Sequence, residues 1–331
     1  MTSGPTPIPD QGAVMPVGDD GAGIVSVVVC GHNGAHYLPG LLGALASQTL
    51  PRDRFEVVYV DDASTDGSVS VVEQSGLARV VRAETRIGLP RALNAGIQAA
   101  RGEVIAFTDF DTAPDERWLE AGWRRFEDPT VDFLAGGITI PVGSKPTIAA
   151  LVDATTFLDQ ESYVQSGYPA GANFWIRRSL AESVGGFNEQ LEFYGGDDEE
   201  FGWRVRAAGV RLDYAPEVRL THPPRVRLRE LARKAYRGGF SYAVRRRVET
   251  GSLSGTRPMF RQLRPYLPPK RLRRLSRVVE LDYEPTVLEL VQMHIARYLW
   301  VQLPTIVGDY VGERRWRGRT VLVRDATLHG A

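Results

Sequence analysis

Val104-Ile105-Ala106-Phe107-Thr108-Asp109-Phe110-Asp111 is the stretch that decides how this chain is read. Its first five residues carry no charge and are rich in branched and aromatic types, the composition of a buried strand. Two carboxylates, separated by one residue, then arrive where the strand should end. Carboxylates are rarely buried unless something offsets their desolvation. In extended backbone, residues i and i+2 point to the same side, so Asp109 and Asp111 can face one ligand together. A divalent cation fits, because hard cations take carboxylate oxygens and share them with phosphate oxygens. The competing reading is a turn whose two Asp residues cap a helix starting near Pro114.

The flanking segments place this stretch in a larger pattern. Ile24 to Cys30 reads as a buried strand stopped by Gly31-His32-Asn33-Gly34, and Leu38, Leu41, Leu42 and Leu45 then recur at helical spacing. Phe55 to Val60 is a second strand, ending at Asp61-Asp62-Ala63-Ser64-Thr65-Asp66-Gly67, and Ala78 to Val81 is a third. Residues 89–100 form a helix opened by Gly88-Leu89-Pro90. Strands alternating with helices predict a mostly parallel sheet with helices on both faces, whose ligands bind at the carboxyl ends of the strands. Asn33, Asp61, Asp62, Asp109 and Asp111 all fall at those ends.

Beyond residue 111 the pattern loosens. Trp118, Leu119, Trp123 and Phe126 make an apolar helix face suited to core packing. Phe133 to Ile140 and Gly171 to Ile176 read as strands. Residues 141–170 show no clear period and are expected to hold a mobile loop. Val210 to Tyr214 and Val218 to Thr221 read as two short strands ending at His222-Pro223-Pro224. Residues 285–302 carry Val287, Leu288, Val291, His294, Ile295, Tyr298 and Leu299, a helix with a wide apolar face. Trp316 sits among Arg314, Arg315, Arg317 and Arg319.

Composition is that of a globular protein: 331 residues, 43% hydrophobic and 24% charged. The formal net charge of zero hides an asymmetry. Residues 1–222 hold 17 Lys+Arg against 31 Asp+Glu, and residues 223–331 hold 23 against 9, so the two parts carry −14 and +14. The one cysteine, Cys30, excludes an intramolecular disulfide and fits a reducing compartment. Residues 1–23 have neither the basic start nor the apolar stretch of a signal peptide. The expected organisation is a disordered tail (1–23), a catalytic α/β domain (24–222) and an Arg-rich helical region (223–331). The expected location is cytoplasmic, with peripheral contact at the inner membrane surface as one option.

Several groups could carry chemistry. One of Asp61 and Asp62 can accept from a ribose hydroxyl or a base N–H, or the loop can simply bond its own backbone. Asp197-Asp198-Glu199-Glu200 opens a helix, where the dipole favours carboxylates. Gly195-Gly196 ahead of it allow close backbone approach to a ligand, so Asp198 can take a proton from an attacking hydroxyl. His222 reads either as a further metal ligand or as a satisfied surface residue. No Walker-type loop, Gly-x-Gly-x-x-Gly turn or zinc spacing is present in the sequence. The basic region lacks a nucleic-acid recognition motif.

Taken in order from about Val25 to His222, these residues resemble an inverting family-2 glycosyltransferase of GT-A fold. The motifs are Val25-Ser26-Val27-Val28-Val29 with Asn33, Val60-Asp61-Asp62-Ala63-Ser64-Thr65-Asp66, Gly88 through Gly96, Asp109-Phe110-Asp111, and Gly185-Gly186-Phe187 followed by Gly196 through Phe201. The resemblance implies a nucleotide-sugar site on Asn33, Asp61, Asp62, Arg91, Asn94 and Asp109. It implies Mn2+ or Mg2+ on Asp111, Asp109 and His222, and Asp198 as general base. Asp197 stands where the family usually has Glu. Acceptor choice is assigned to Trp175, Phe193, Tyr194 and Asp197, for a carbohydrate, lipid-linked or small-molecule acceptor. The competing functions are a sugar-phosphate nucleotidyltransferase and a non-catalytic binding protein of the same fold. The basic region is expected to meet an anionic membrane surface or a second copy of the chain.

Overall fold

A computed structural model describes residues 23–191, 195–250 and 286–316. The sheet begins with four parallel strands: β1 (Val25–Gly31), β2 (Phe55–Asp61), β3 (Ala78–Arg82) and β4 (Val104–Asp109). Their spatial order is β3-β2-β1-β4, so β1 is central and both its neighbours run alongside it in register. Every residue of β1 and β2 is buried, as expected of parallel strands covered on both faces.

Alternation sorts the side chains of these strands into two cores. Val25, Val27 and Val29 face α1 (Leu38–Ala46), where Leu38, Leu41 and Leu45 are buried against them. Val28, Cys30, Ile105 and Phe107 face the other way, onto α3 (Leu89–Ala99) through Ala92 and Ile97. The short helix α2 (Ser68–Ser75) links β2 to β3. Gly96 lets α3 approach β1 closely: a Cβ there would stand 2.3 Å from Val28.

The far half of the sheet is mixed. After β5 (Ala113–Pro114) and α4 (Trp118–Phe126) come β6 (Phe133–Thr139), α5 (Ile148–Ala154), α6 (Gln160–Ser166), β7 (Asn173–Arg177) and α7 (Arg178–Ser183). Then follow α8 (Asp197–Ala207) and β8 (Asp213–Thr221). Strand β7 lies antiparallel between β4 and β6, β6 runs parallel to β8, and β5 closes the edge antiparallel to β8. The buried Asn173 amide ties this half together, donating to the carbonyls of Gly137 and Val218 (both 2.8 Å) and accepting from the Trp118 indole at 3.0 Å.

Three expectations are corrected. Residues 141–170 are not one loop: they contain α5 and α6, whose seven residues each are too few to display a period. The two short strands at 210–221 are one strand, β8. The chain after Asp111 first makes β5, and the helix starts at Trp118 rather than near Pro114.

In the basic region, α9 spans Leu228–Thr250, and α10 (Val287–Arg297) passes through a wide helical turn, Tyr298–Gln302, into α11 (Leu303–Trp316). Leu231 and Ala235 of α9 share a small core with Leu151 and Val152 of α5 and with Met293 and Ala296 of α10. Residues 1–22 of the expected tail (1–23), residues 251–285 and residues 317–331 lie outside the described residues, as does the side chain of Trp316.

Candidate active site

The edge pair β5–β8 explains how distant residues meet. It joins Ala113 to Thr221, and so fixes the backbone just after Asp111 beside the backbone just before His222. The His222 N–H also bonds Thr139 at 2.9 Å. As a result, ligand atoms of Asp109, Asp111 and His222 lie within 4.8 Å of one another. The imidazole Nε2 is 3.6 Å from an Asp111 oxygen and 4.0 Å from an Asp109 oxygen. Its Nδ1 lies 2.9 Å from the Pro223 carbonyl, to which it can donate, so Nε2 is the ring nitrogen turned toward the carboxylates. Two carboxylates and a buried imidazole so spaced fit a divalent cation, and the O,O,N set suits Mn2+.

The loops after β1 and β2 are laced together beside this cluster. Asn33 adopts φ 56°, its Oδ1 accepts from the Thr65 N–H at 2.8 Å, and its own N–H donates to Ser64 Oγ at 2.9 Å. Asp62 accepts from the Ile87 N–H at 2.7 Å and from Arg86 Nε at 3.1 Å, so it holds the backbone that leads into α3. Asp61 is fully buried. One of its oxygens accepts from the Ser64 N–H at 3.1 Å, and the other has no hydrogen-bond partner. Arg91 is exposed on α3, 3.6 Å from Glu189.

The second acidic group lies across the cleft. Gly195 and Gly196 both have positive φ (112° and 87°), which turns the chain into α8 and brings Asp197 and Asp198 to its first turn. Asp109, Asp197 and Asp198 line one cleft with Cys30, Leu93, Phe107 and Gly171. Asp198 Oδ2 accepts from the Gly171 N–H at 3.0 Å. Burial, reinforced by Asp198, pushes the Asp197 carboxyl up to about 7. Burial also raises Asp198, opposed by the Gly171 N–H, and it raises Asp109, reinforced by Asp111. The helix dipole alone suggests an ionised dyad; desolvation works against that and leaves these carboxyls holding protons more tightly than exposed Asp.

Two site assignments are corrected. Trp175 cannot stack on an acceptor: it is fully buried among Trp118, Phe126 and Gly122, on the sheet face opposite the cleft. Asn94 does not offer its amide to a nucleotide. Its Oδ1 accepts from the Phe187 N–H at 2.7 Å and its Nδ2 donates to the Phe187 carbonyl and to Glu189, both at 3.0 Å. It clamps the Gly185-Gly186-Phe187 turn against α3. Phe193 and Tyr194 lie outside the described residues.

Sequence reasoning missed Gly171, whose N–H orients Asp198, and Lys234 on α9. Burial lowers the Lys234 ammonium's proton affinity, with Arg225 adding to this, while Asp198, Asp109 and Asp197 oppose it. The signal was present as Leu231, Lys234, Ala235 and Gly238, one stripe at helical spacing inside an otherwise Arg-rich stretch.

Residues 26–185 match the family model described as "Glycosyl transferase family 2", and residues 160–226 match the model described as "N-terminal domain of galactosyltransferase". Residues 26–185, just under half of the chain, are a glycosyl transferase family 2 domain. The chain is 30% identical over 199 residues to glycosyltransferase AglE of Haloferax volcanii, covering 59% of this chain and 65% of AglE. It is 31% identical over 245 residues to the pre-mycofactocin glycosyltransferase of Mycobacterium tuberculosis, covering 69% of this chain and 49% of that protein. The match thus spans about half to just under two thirds of the length of these relatives. Among solved structures, the mannosyltransferase of Pyrobaculum calidifontis in complex with GDP-Man and Mn2+ aligns with a TM-score of 0.58 at 23% identity, over 89% of this chain and 88% of that one. TarS 1–349 of Staphylococcus aureus in complex with UDP aligns with a TM-score of 0.50 at 20% identity, over 89% and 91%. These likenesses establish a GT-A-type fold.

Proposed function

We propose that this chain transfers a sugar from a nucleotide-sugar donor to an acceptor hydroxyl with inversion, using Asp198 as general base and a divalent cation on Asp109, Asp111 and His222. The observation that carries this reading is one cleft shared by two acidic groups: Asp109, a member of the Asp109–Asp111–His222 cluster, and the Asp197–Asp198 pair at the start of α8 line it together. A cation held by that cluster would stabilise charge on the departing diphosphate. Asp62 and Asn33 shape the loops that receive the nucleoside, and Asp61 holds a buried oxygen without a hydrogen-bond partner at the end of β2. Asp198, oriented by Gly171, takes the acceptor proton as the hydroxyl attacks the anomeric carbon from the face opposite the diphosphate. Asp197, with its raised proton affinity, keeps the pair from carrying two full charges before the acceptor arrives. The solved neighbours in complex with GDP-Man and with UDP support a nucleotide-sugar donor.

The test is a thermal-shift and product-release panel of UDP- and GDP-sugars, with and without Mn2+. A nucleotide-sugar that raises the melting temperature only with Mn2+, and whose diphosphate is released when an acceptor is added, supports the reading. A protein indifferent to every donor in both conditions defeats it.

No helix of the described residues is long and apolar enough to cross a membrane. The apolar face expected at 285–302 is exposed at Leu288, Val291, Ile295, Tyr298, Leu299 and Trp300. Arg229, Arg233 and Arg237 form an exposed i, i+4, i+8 row on α9. Apolar and cationic surfaces in one helical unit favour an anionic lipid surface as the partner of this region.

A further inference from the structure

We propose that Lys234 is the protein's own cationic contact for the diphosphate of the donor, delivered into the site by α9. The inference rests on the donor reading above and adds a residue to it from beyond His222.

The placement follows from the register of α9. Leu231 and Ala235 are buried against α5 and α10, which fixes the inward side of this helix. Lys234 falls on an adjoining position of that side and is half-buried, while Gly238, one turn on, is exposed. Gly238 meets the start of the acidic helix: a Cβ at Gly195 would stand 3.7 Å from the Gly238 Cα. Lys234 lies one turn before that contact. Its half-buried side chain stands in the field of Asp198, Asp109 and Asp197, three residues that line the cleft.

The neighbouring arginines have other work. Arg204 is bonded to Glu200, Arg225 to Asp153 and Arg91 faces Glu189. Lys234 faces the site's own carboxylates instead. A diphosphate entering between the sheet cluster and the α8 pair meets the carboxyls of Asp109, Asp111 and Asp198, and a cationic side chain there adds to the compensation that one divalent ion supplies. A lysine serves as a point charge with three rotatable donors and needs no fixed fork geometry. The segment that carries it is anchored: buried Asp153 accepts from the Arg225 backbone N–H at 2.8 Å and from its guanidinium at 3.0 Å, three residues before α9 begins.

The experiment is calorimetric titration of the full chain with UDP and GDP in Mn2+, alongside uridine and guanosine, for the wild type, K234M and K234R. The expected result is a loss of about ten- to hundredfold in diphosphate affinity for K234M, the size of one charge-assisted hydrogen bond, with nucleoside affinity unchanged and K234R recovering part of the loss. Equal nucleoside diphosphate affinity in wild type and K234M overturns the role of Lys234 and leaves the donor reading standing. Equal losses for nucleoside and diphosphate in K234M, or a K234R as weak as K234M, make the residue a packing element and also overturn it. A wild type that binds neither UDP nor GDP defeats the donor reading itself, and the role of Lys234 falls with it.

Discussion

At the scale of single residues, the first question is which of two adjacent carboxylates takes the proton. Asp198 is half-buried, lines the cleft and is oriented by a backbone N–H, whereas Asp197 is more deeply buried and holds its proton to about pH 7. Asp198→Asn keeps the shape and the Gly171 bond but cannot accept a proton. It is expected to bind donor normally and to transfer roughly 10²–10⁴-fold more slowly. Asp197→Asn mimics the protonated form and is expected to cost far less. Single-turnover rates with both variants decide it, and a dead Asp197→Asn beside a near-normal Asp198→Asn would move the base one residue back. The same pair gives a stability signature. Asp197 titrates near 3.9 when unfolded and near 7 when folded, so the folded protein binds the extra proton between those values. Its contribution is fully present below about pH 4 and is lost as pH rises through 7. Metal-free protein is therefore expected to melt higher at pH 5.5 than at pH 8, and Asp197→Asn should flatten that slope. A wild type whose melting temperature is the same at both pH values contradicts the buried-carboxyl assignment.

At the scale of elements, the strand ends were legible because a buried parallel strand announces itself by composition and its last residues must then face the crevice. Asp109, Asp111, Asp62 and Asn33 were readable on that ground alone. What a side chain does with its hydrogen bonds was not. Asn94 sits in the middle of the helix that Gly88 opens, a setting that reads as ligand-facing, yet Phe187, 93 residues away, takes its amide. Trp175 alternates with Phe174 and Ile176, but in a strand covered on both faces alternation selects between two cores rather than between core and solvent. The link between α5 and α9 was equally hidden, since Asp153 and Arg225 are 72 residues apart and α5 is too short to show a period. That link is testable. Asp153→Ala strands the Arg225 N–H and its guanidinium, and breaking such a buried pair costs on the order of 3 kcal/mol. Urea unfolding should show a loss of that size, and limited proteolysis should find new cleavage between His222 and Leu228. If α9 carries Lys234 to the donor, the diphosphate affinity should fall in step. An Asp153→Ala protein as stable and as protease-resistant as the wild type would mean that α9 is held by other contacts.

At the scale of the whole molecule, charge is segregated along the chain: −14 up to His222 and +14 beyond it. Part of the positive excess is accounted for at the boundary, where Lys234 and Arg225 turn inward to Asp198 and Asp153. Among the described residues, other members of this region face outward. Arg229, Arg233 and Arg237 face solvent on α9, and Leu288, Val291, Ile295 and Leu299 face solvent on α10 and the turn after it. Met293, Ala296 and Val301 on the same segment are already buried in the small core with α5 and α9, so the exposed set is surplus to folding. A surface of isolated apolar residues needs no explanation, but a run at i, i+3, i+7 and i+11 beside a row of arginines does. An anionic bilayer answers both halves: each arginine near the surface adds about 1 kcal/mol, and each buried apolar side chain adds more. The full chain is expected to sediment with phosphatidylglycerol-rich vesicles at low salt, to release as salt rises past the range where the Debye length falls to about 8 Å, and to ignore neutral phosphatidylcholine vesicles. Leu288→Ser with Ile295→Ser should abolish sedimentation without changing nucleoside diphosphate affinity, because neither residue touches the cleft. A chain that stays in the supernatant with anionic vesicles, while light scattering reports a dimer that the double variant dissociates, would assign this face to a second copy instead.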